Sequence, residues 1–249
     1  MDTNPVSLPT SKLKVAVCLS GIPRNYEKTF PYLKKHLLDV CSPDIFYAGY
    51  HETNGKTDDK LFGTYQPKKH LIRDYDATAQ QEIDKKFLYY QPFYMASSIN
   101  IRRFKSQFYN IYLSNELKKE YEIEQGFKYD IVIRCRTDCY FNRDLSLDEL
   151  HLSFDGSVVI PDKWDFKEVS RCGVSDSFAF STSASMDIFS MAFFCFAKYN
   201  REDRVMFHPE TLLGYHLAKT GLKRIAIKTP YEFETPEGVA NERYNYNRG

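Results

Sequence analysis

The sequence predicts an α/β fold, a mixed and mostly parallel sheet flanked by helices. Three observations carry that expectation. The first 50 residues read as strand, helix and strand, which is a βαβ unit and needs parallel pairing. Ile131–Ile133 is a continuous β-branched run of the kind buried on both faces of a sheet. Segments of helical periodicity alternate with further short apolar runs to residue 228.

The elements follow in order. Residues 1–11 are polar with two prolines and are expected to form a loose leader. Lys14–Leu19 is the first strand, broken by the turn residues Ser20-Gly21-Ile22-Pro23-Arg24. Tyr26–Val40 carries Phe30, Leu33, Leu37 and Leu38 at helical spacing, and Asp44–Tyr50 is the second strand. Residues 51–70 are polar and read as a surface loop; His70–Asp74 is a short strand and Thr78–Lys86 a helix. Asn100–Tyr121 is a long helix with the stripe Phe104, Phe108, Ile111 and Tyr112. Asn115 falls on that stripe and Gln107 beside it, so each must find a polar partner. After the central strand come a short helix over Leu145–Leu152, a strand over Gly156–Pro161 and a polar loop over Trp164–Val174. Asp176–Ser181 alternates as a strand, and Ser185–Tyr199 is apolar on most sides, as a buried helix should be. Pro209 and Glu210 suit the first turn of a helix that Gly221 ends; Leu222–Lys228 is the last strand. Residues 12–228 are expected to be one domain, and 229–249 a polar, Tyr-rich tail.

Composition narrows the function classes. An apolar content of 43% supports a packed core, and a net charge of +1 supplies no field that would draw nucleic acid. The six cysteines form no CxxC pair, which excludes a zinc ribbon or a thioredoxin-type motif. No apolar run approaches the ~20 residues of a membrane span, and Met1–Ser11 has no signal-peptide core. The expectation is a soluble, cytoplasmic protein; nothing in the pattern signals an oligomeric state.

Charge gathers at one place. Tyr129–Asp138 ends its apolar run in Arg134, Arg136 and Asp138, at the carboxyl end of a strand, where open α/β sheets bind ligands. An Asp there can hold a divalent cation that in turn holds a diphosphate; the same three residues also suit an ion-pair cluster capping the strand. His208 is a candidate to complete a metal shell, although a helix-entry role explains it better. In the turn after the first strand, Gly21 permits close backbone approach and Arg24 suits a phosphate. Neither GxGxxG nor a Walker A motif is present. Asp176 and Glu210 are candidates for a general base; Glu210 is also explained by the helix dipole, whereas a strand start has no need of Asp176. GxSxG, HExxH and HxH are absent, which excludes hydrolases of those types.

Taken together, Val15–Leu19 with Ser20, Gly21 and Arg24, then Asp44-Ile45-Phe46, Ser106–Glu116, Tyr129–Asp138, Asp176–Ser181 and His208–Leu217 resemble GT-A-type glycosyltransferases. The likeness spans roughly residues 13–228 and is nearest to small sugar transferases of large DNA viruses and of bacterial surface-polysaccharide clusters. It implies a GT-A-like (Rossmann-like) sheet, a nucleotide-diphosphate sugar donor, a glycan or other hydroxyl acceptor, and Mn²⁺ or Mg²⁺ held by a DxD motif. The matching place reads Arg136-Thr137-Asp138, which keeps the last Asp as the metal ligand and replaces the first by Arg. By the same resemblance, Ser20, Gly21, Arg24, Gln107, Asn115, Arg134, Arg136 and Asp138 bind the donor. Asp138 and His208 hold the metal, Asp176 faces the acceptor, and Glu210 closes the site as second candidate base. A carboxylate base opposite the diphosphate implies inversion. A sugar-nucleotidyltransferase and a non-catalytic sugar-binding protein of the same fold are the competing readings.

Overall fold

The computed structural model describes residues 13–51, 58–74, 77–86, 100–163, 165 and 172–233. The expected leader, most of the Trp164–Val174 loop and all of the expected tail beyond residue 233 lie outside them.

β1 (Val15–Gly21) is buried up to its last residue, as its Val-rich sequence requires. α1 (Tyr26–Leu33) contains Pro31, passes through a π-helical turn over Lys34–Leu38, and ends in α2 (Asp39–Cys41) where Ser42 turns left-handed. β2 (Asp44–Tyr50) matches its expected span. α3 (Asp58–Tyr65) occupies part of the segment expected to be a loop. Its Leu61 and Tyr65, one turn apart, are both buried, and Tyr65 packs edge-on against Phe30 at 5.0 Å. β3 (Lys69–Arg73) and α4 (Ala77–Lys86) follow.

α5 (Ile101–Gln125) runs 25 residues. Asn100 caps it, its side chain accepting from the Arg103 amide at 3.1 Å, and Gly126 stops it with φ 69°. β4 (Ile131–Cys135) is buried at every position. β5 (Tyr140–Phe141), α6 (Leu147–Leu150, with a Ser146–Glu149 capping box), β6 (Ser157–Pro161) and β7 (Phe178–Ser181) come next. The expected single helix over Ser185–Tyr199 is two, α7 (Ser183–Ser190) and α8 (Ala192–Arg201), because the backbone leaves helical geometry at Met191 with ψ −6°. α9 (Pro209–Thr220) and β8 (Lys223–Ile227) lie as expected. The segment expected to open the tail forms β9 (Tyr231–Glu232), which pairs with β5; Tyr231 is fully buried against Phe141 and Phe178.

The main sheet has seven strands in the order β3-β2-β1-β4-β7-β6-β8. Every neighbouring pair is parallel except those of β7, which is antiparallel to both β4 and β6. This is the mixed, mostly parallel, helix-flanked sheet of the expectation.

Alternation along the strands divides the core into two layers. Val15, Val17, Leu19, Ile131 and Ile133 join the layer under α1 and α3. Ala16, Cys18, Phe46, Tyr50 and Val132 join the layer under α5, α7, α8 and α9. By the same period of two, Ser20 and Arg134 emerge on the α5 side. No described helix is long and apolar enough to cross a membrane.

Candidate functional site: a guanidinium-lined pocket at the carboxyl edge

A pocket of about 310 Å³ opens where β1, β2 and β4 end beneath the first half of α5. That volume lies within the ~300–1,000 Å³ typical of small-molecule sites. Ser20, Gly21, Ile22 and Arg24 come from the end of β1 and its turn, and Tyr50 from the end of β2. Arg103, Ser106, Gln107 and Asn110 come from α5; Arg134, Arg136, Thr137 and Asp138 come from β4 and the residues after it.

Local geometry explains the floor. Gly21 takes φ 106°, which a β-carbon would resist, and its carbonyl accepts from the Tyr47 hydroxyl at 2.6 Å. Two threonines tie the β4 turn to α1 and to the β1 turn. The Thr29 hydroxyl donates to the Thr137 carbonyl at 2.6 Å, and the Thr137 hydroxyl to the Ile22 carbonyl at 3.4 Å.

Arg134 dominates the electrostatics. It is 2% exposed, and its Nε, Nη1 and Nη2 have no hydrogen-bond partner among the described residues. Its neighbours in strand register, Cys18 on β1 and Ala179 on β7, are small, which leaves room for the guanidinium. Burial pushes the Cys18 thiol up to about 12, so it stays neutral and supplies no counter-charge. Burial also draws Arg134 below its ordinary value, the charge of Asp176 opposes that, and Arg136 adds to the depression. Arginine nonetheless remains charged in proteins. A buried cation without hydrogen bonds costs several kcal/mol, so this side chain is poised for an anion.

The rest of the wall is built to donate. Arg73 donates to Asn110 Oδ1 at 2.8 Å, which leaves Asn110 Nδ2 without a partner among the described residues. The buried Ser20 Oγ is also unpartnered among them. The four arginines are graded in depth: Arg134 and Arg136 are buried, Arg24 is half-buried and Arg103 is exposed. Asp138 is the one carboxylate among the described residues that line the pocket. Both of its oxygens are taken by Arg136, Oδ1 from Nε at 2.7 Å and Oδ2 from Nη2. Burial opposes the charge on Arg136, but Asp138 outweighs it and holds the guanidinium above its ordinary value.

Asp138, the expected metal ligand, is committed to a guanidinium in this structure. No group of three or more His, Cys, Asp or Glu is placed to hold a metal among the described residues. A cation on Asp138 would have to share both carboxylate oxygens with the buried Arg136 guanidinium, whose positive charge opposes it. His208 does not line the pocket; its Nδ1 meets Thr211 Oγ1 at 3.2 Å and its Nε2 lies 3.4 Å from Glu210 Oε2, at the entry to α9.

Of the residues expected to form the site, Ser20, Gly21, Arg24, Gln107, Arg134, Arg136 and Asp138 come together here. Asp176 is not among the lining residues; its Oδ2 accepts from Gln107 Nε2 and its Oδ1 from the Ser177 hydroxyl at 3.3 Å. Glu210 is nearly buried, and its carbonyl accepts from the Val174 amide at 3.1 Å. Asn115 is elsewhere: its amide donates to Asp187 on α7 at 2.8 Å. Eight residues beyond Gln107, it lies ~12 Å further along the axis and away from the carboxyl edge. Tyr50, Arg103, Ser106 and Asn110 were not foreseen, although Arg103, Ser106 and Asn110 follow one another at helical-turn spacing beside Gln107.

A family model described as a domain of unknown function (DUF7796) matches residues 10–199. All the pocket residues fall within that stretch, whereas His208 and Glu210 lie beyond it. Among solved structures, the chain is similar to mouse xyloside xylosyltransferase 1 in its apo form, at 10% identity and a TM-score of 0.48, with 85% of each chain covered. No curated protein matches the chain.

Proposed function

The chain belongs to the DUF7796 family, and for this member we propose glycosyl transfer, the movement of a sugar from a nucleotide-diphosphate donor to a hydroxyl acceptor such as a glycan. The observation that carries the reading is the donor-rich pocket around Arg134, set at the carboxyl edge of parallel strands. Departure of a diphosphate concentrates negative charge on its oxygens. Fixed N–H and O–H donors aimed at that charge stabilise the transition state without reorganising.

In this reading the anomeric C–O bond to the diphosphate breaks as the acceptor oxygen bonds to the anomeric carbon. The acceptor proton passes to a carboxylate. We assign that role to Asp176, whose carboxylate is hydrogen-bonded to the pocket-lining Gln107. Displacement from the face opposite the diphosphate inverts the anomeric configuration. Glu210 is the second candidate for the base.

The test is release of nucleoside diphosphate from a panel of nucleotide-diphosphate sugars offered with simple glycan acceptors. The reading expects release from at least one donor and its loss in Arg134→Gln. Pyrophosphate release from a nucleoside triphosphate and a sugar phosphate, with no activity on the panel, would instead assign nucleotidyl transfer.

A further inference from the structure

We infer that the donor's diphosphate is held directly by the Arg134 guanidinium with Asn110, Ser20 and Arg136, in place of a divalent cation, and that Asp138 is a positioning residue for Arg136. This rests on the reading of the pocket as a nucleotide-sugar site.

Three features of the structure converge on it. The unsatisfied groups at the bottom of the pocket are all able to donate: three guanidinium nitrogens of Arg134, the Asn110 amide nitrogen and the Ser20 hydroxyl. A bound cation favours charged oxygen ligands, and Asp138 is the one carboxylate among the described lining residues. Asp138, the carboxylate a cation would use, has each oxygen engaged by Arg136 in a two-pronged pair. Finally, Arg134 and Arg136 are both buried, so their charges act at low dielectric, where a planar donor fork matches phosphate oxygens in pairs. The task a metal performs elsewhere, neutralising a diphosphate, is covered here by side chains already in place.

Asp138 then has a different task. It fixes Arg136 in the plane from which its remaining N–H groups can reach a phosphate, and it acts through Arg136 rather than on the ligand. Loss of Asp138 should therefore weaken binding to the same degree whether or not a cation is present.

The experiment is calorimetric titration of the full chain with UDP, GDP, CDP, ADP and TDP, once in EDTA and once with Mg²⁺ or Mn²⁺. One diphosphate is expected to bind in EDTA, with an affinity that added cation leaves unchanged. Arg134→Gln should weaken it about ten- to a hundredfold in both conditions, the loss expected for charge-assisted hydrogen bonds. Asp138→Asn should weaken it equally in both. Binding seen only with cation, or an Asp138→Asn defect confined to the cation-containing titration, would overturn the inference and leave the transferase reading standing. No binding of any diphosphate in either condition would overturn both. The wild-type comparison and Asp138→Asn decide the matter even if Arg134→Gln does not fold.

Discussion

Arg73 Nη2 donates to Asn110 Oδ1 at 2.8 Å, and this bond decides which end of the Asn110 amide faces the pocket. The Arg73 guanidinium is itself seated 5.1 Å from the ring centres of both Tyr50 and Tyr109. Asn110→Asp would keep an acceptor for Arg73 but turn the pocket-facing donor into a carboxylate oxygen. Folding stability should hold, while affinity for a nucleoside diphosphate falls roughly ten- to a hundredfold. Urea denaturation and calorimetry on the same sample read the two effects separately; retained affinity would show that Asn110 Nδ2 does not meet the ligand.

Arg134 should be a cost to the empty protein. A buried cation without hydrogen bonds carries a desolvation penalty of several kcal/mol, which an apolar side chain of similar length does not. Arg134→Met is expected to raise the denaturation midpoint of the unliganded protein and to remove its stabilisation by nucleotide. A variant less stable than wild type would mean that Arg134 is already satisfied in the fold.

The close pairing of β1 and β2 sets a second dependence. Gly49 is in register with Gly21, and a β-carbon there would lie 2.1 Å from the Gly21 carbonyl oxygen and 2.4 Å from the Tyr47 hydroxyl. Gly49→Ala must push the β1 turn away and break the Tyr47–Gly21 hydrogen bond. The expected cost is about 1–3 kcal/mol of stability, together with weaker ligand binding because Gly21 lines the pocket. Unchanged stability and binding would show that this turn has slack.

Acid should act far from the pocket. Burial raises the Glu122 pKa, but hydrogen bonds from Lys128, Ser183 and the Tyr129 amide, with the charge of Lys118, hold it below its ordinary 4.5. A carboxyl whose pKa is lower folded than unfolded adds stability that is full above pH 4.5 and is lost as pH falls through the folded value. Burial holds His216 below its ordinary 6.5, so its contribution is full above that pH and declines beneath it. Stability measured by denaturant between pH 8 and 3 should therefore fall in two limbs. Glu122→Gln should flatten the lower limb and His216→Gln the upper; a variant that leaves its limb unchanged removes that group as the cause.

Much of the framework was legible because strand signals here are strong and local. The runs around Val15, Ile45, Ile131 and Val158 are apolar, β-branched and bounded by turn residues. The alternation that sends Val132 and Arg134 to the α5 face follows from strand periodicity alone. Helix α3 escaped notice because only Leu61, Phe62 and Tyr65 mark its inner face within a polar stretch. The break at Met191 escaped because apolar residues continue across it, and β9 because two residues carry no periodicity.

At the site, residues at strand ends were legible because the carboxyl-edge rule places them. Residues on α5 were harder: Gln107 and Asn115 look alike as polar residues near an apolar stripe, and only the helix's position over the sheet separates pocket from buried network. The sequence leaves two readings of Arg136 and Asp138 open, a metal site and an ion-pair cluster; the side-chain conformation shows the ion pair. In the reading proposed above, that pairing gives the motif the task of placing a guanidinium.

The most direct measurement is an experimental structure of the chain with the nucleoside diphosphate that binds it. The account predicts phosphate oxygens within hydrogen-bond distance of the Arg134 guanidinium and of Asn110 Nδ2, with Asp138 still paired to Arg136. A diphosphate bound away from Arg134, or bridged to Asp138 by a cation, would contradict it.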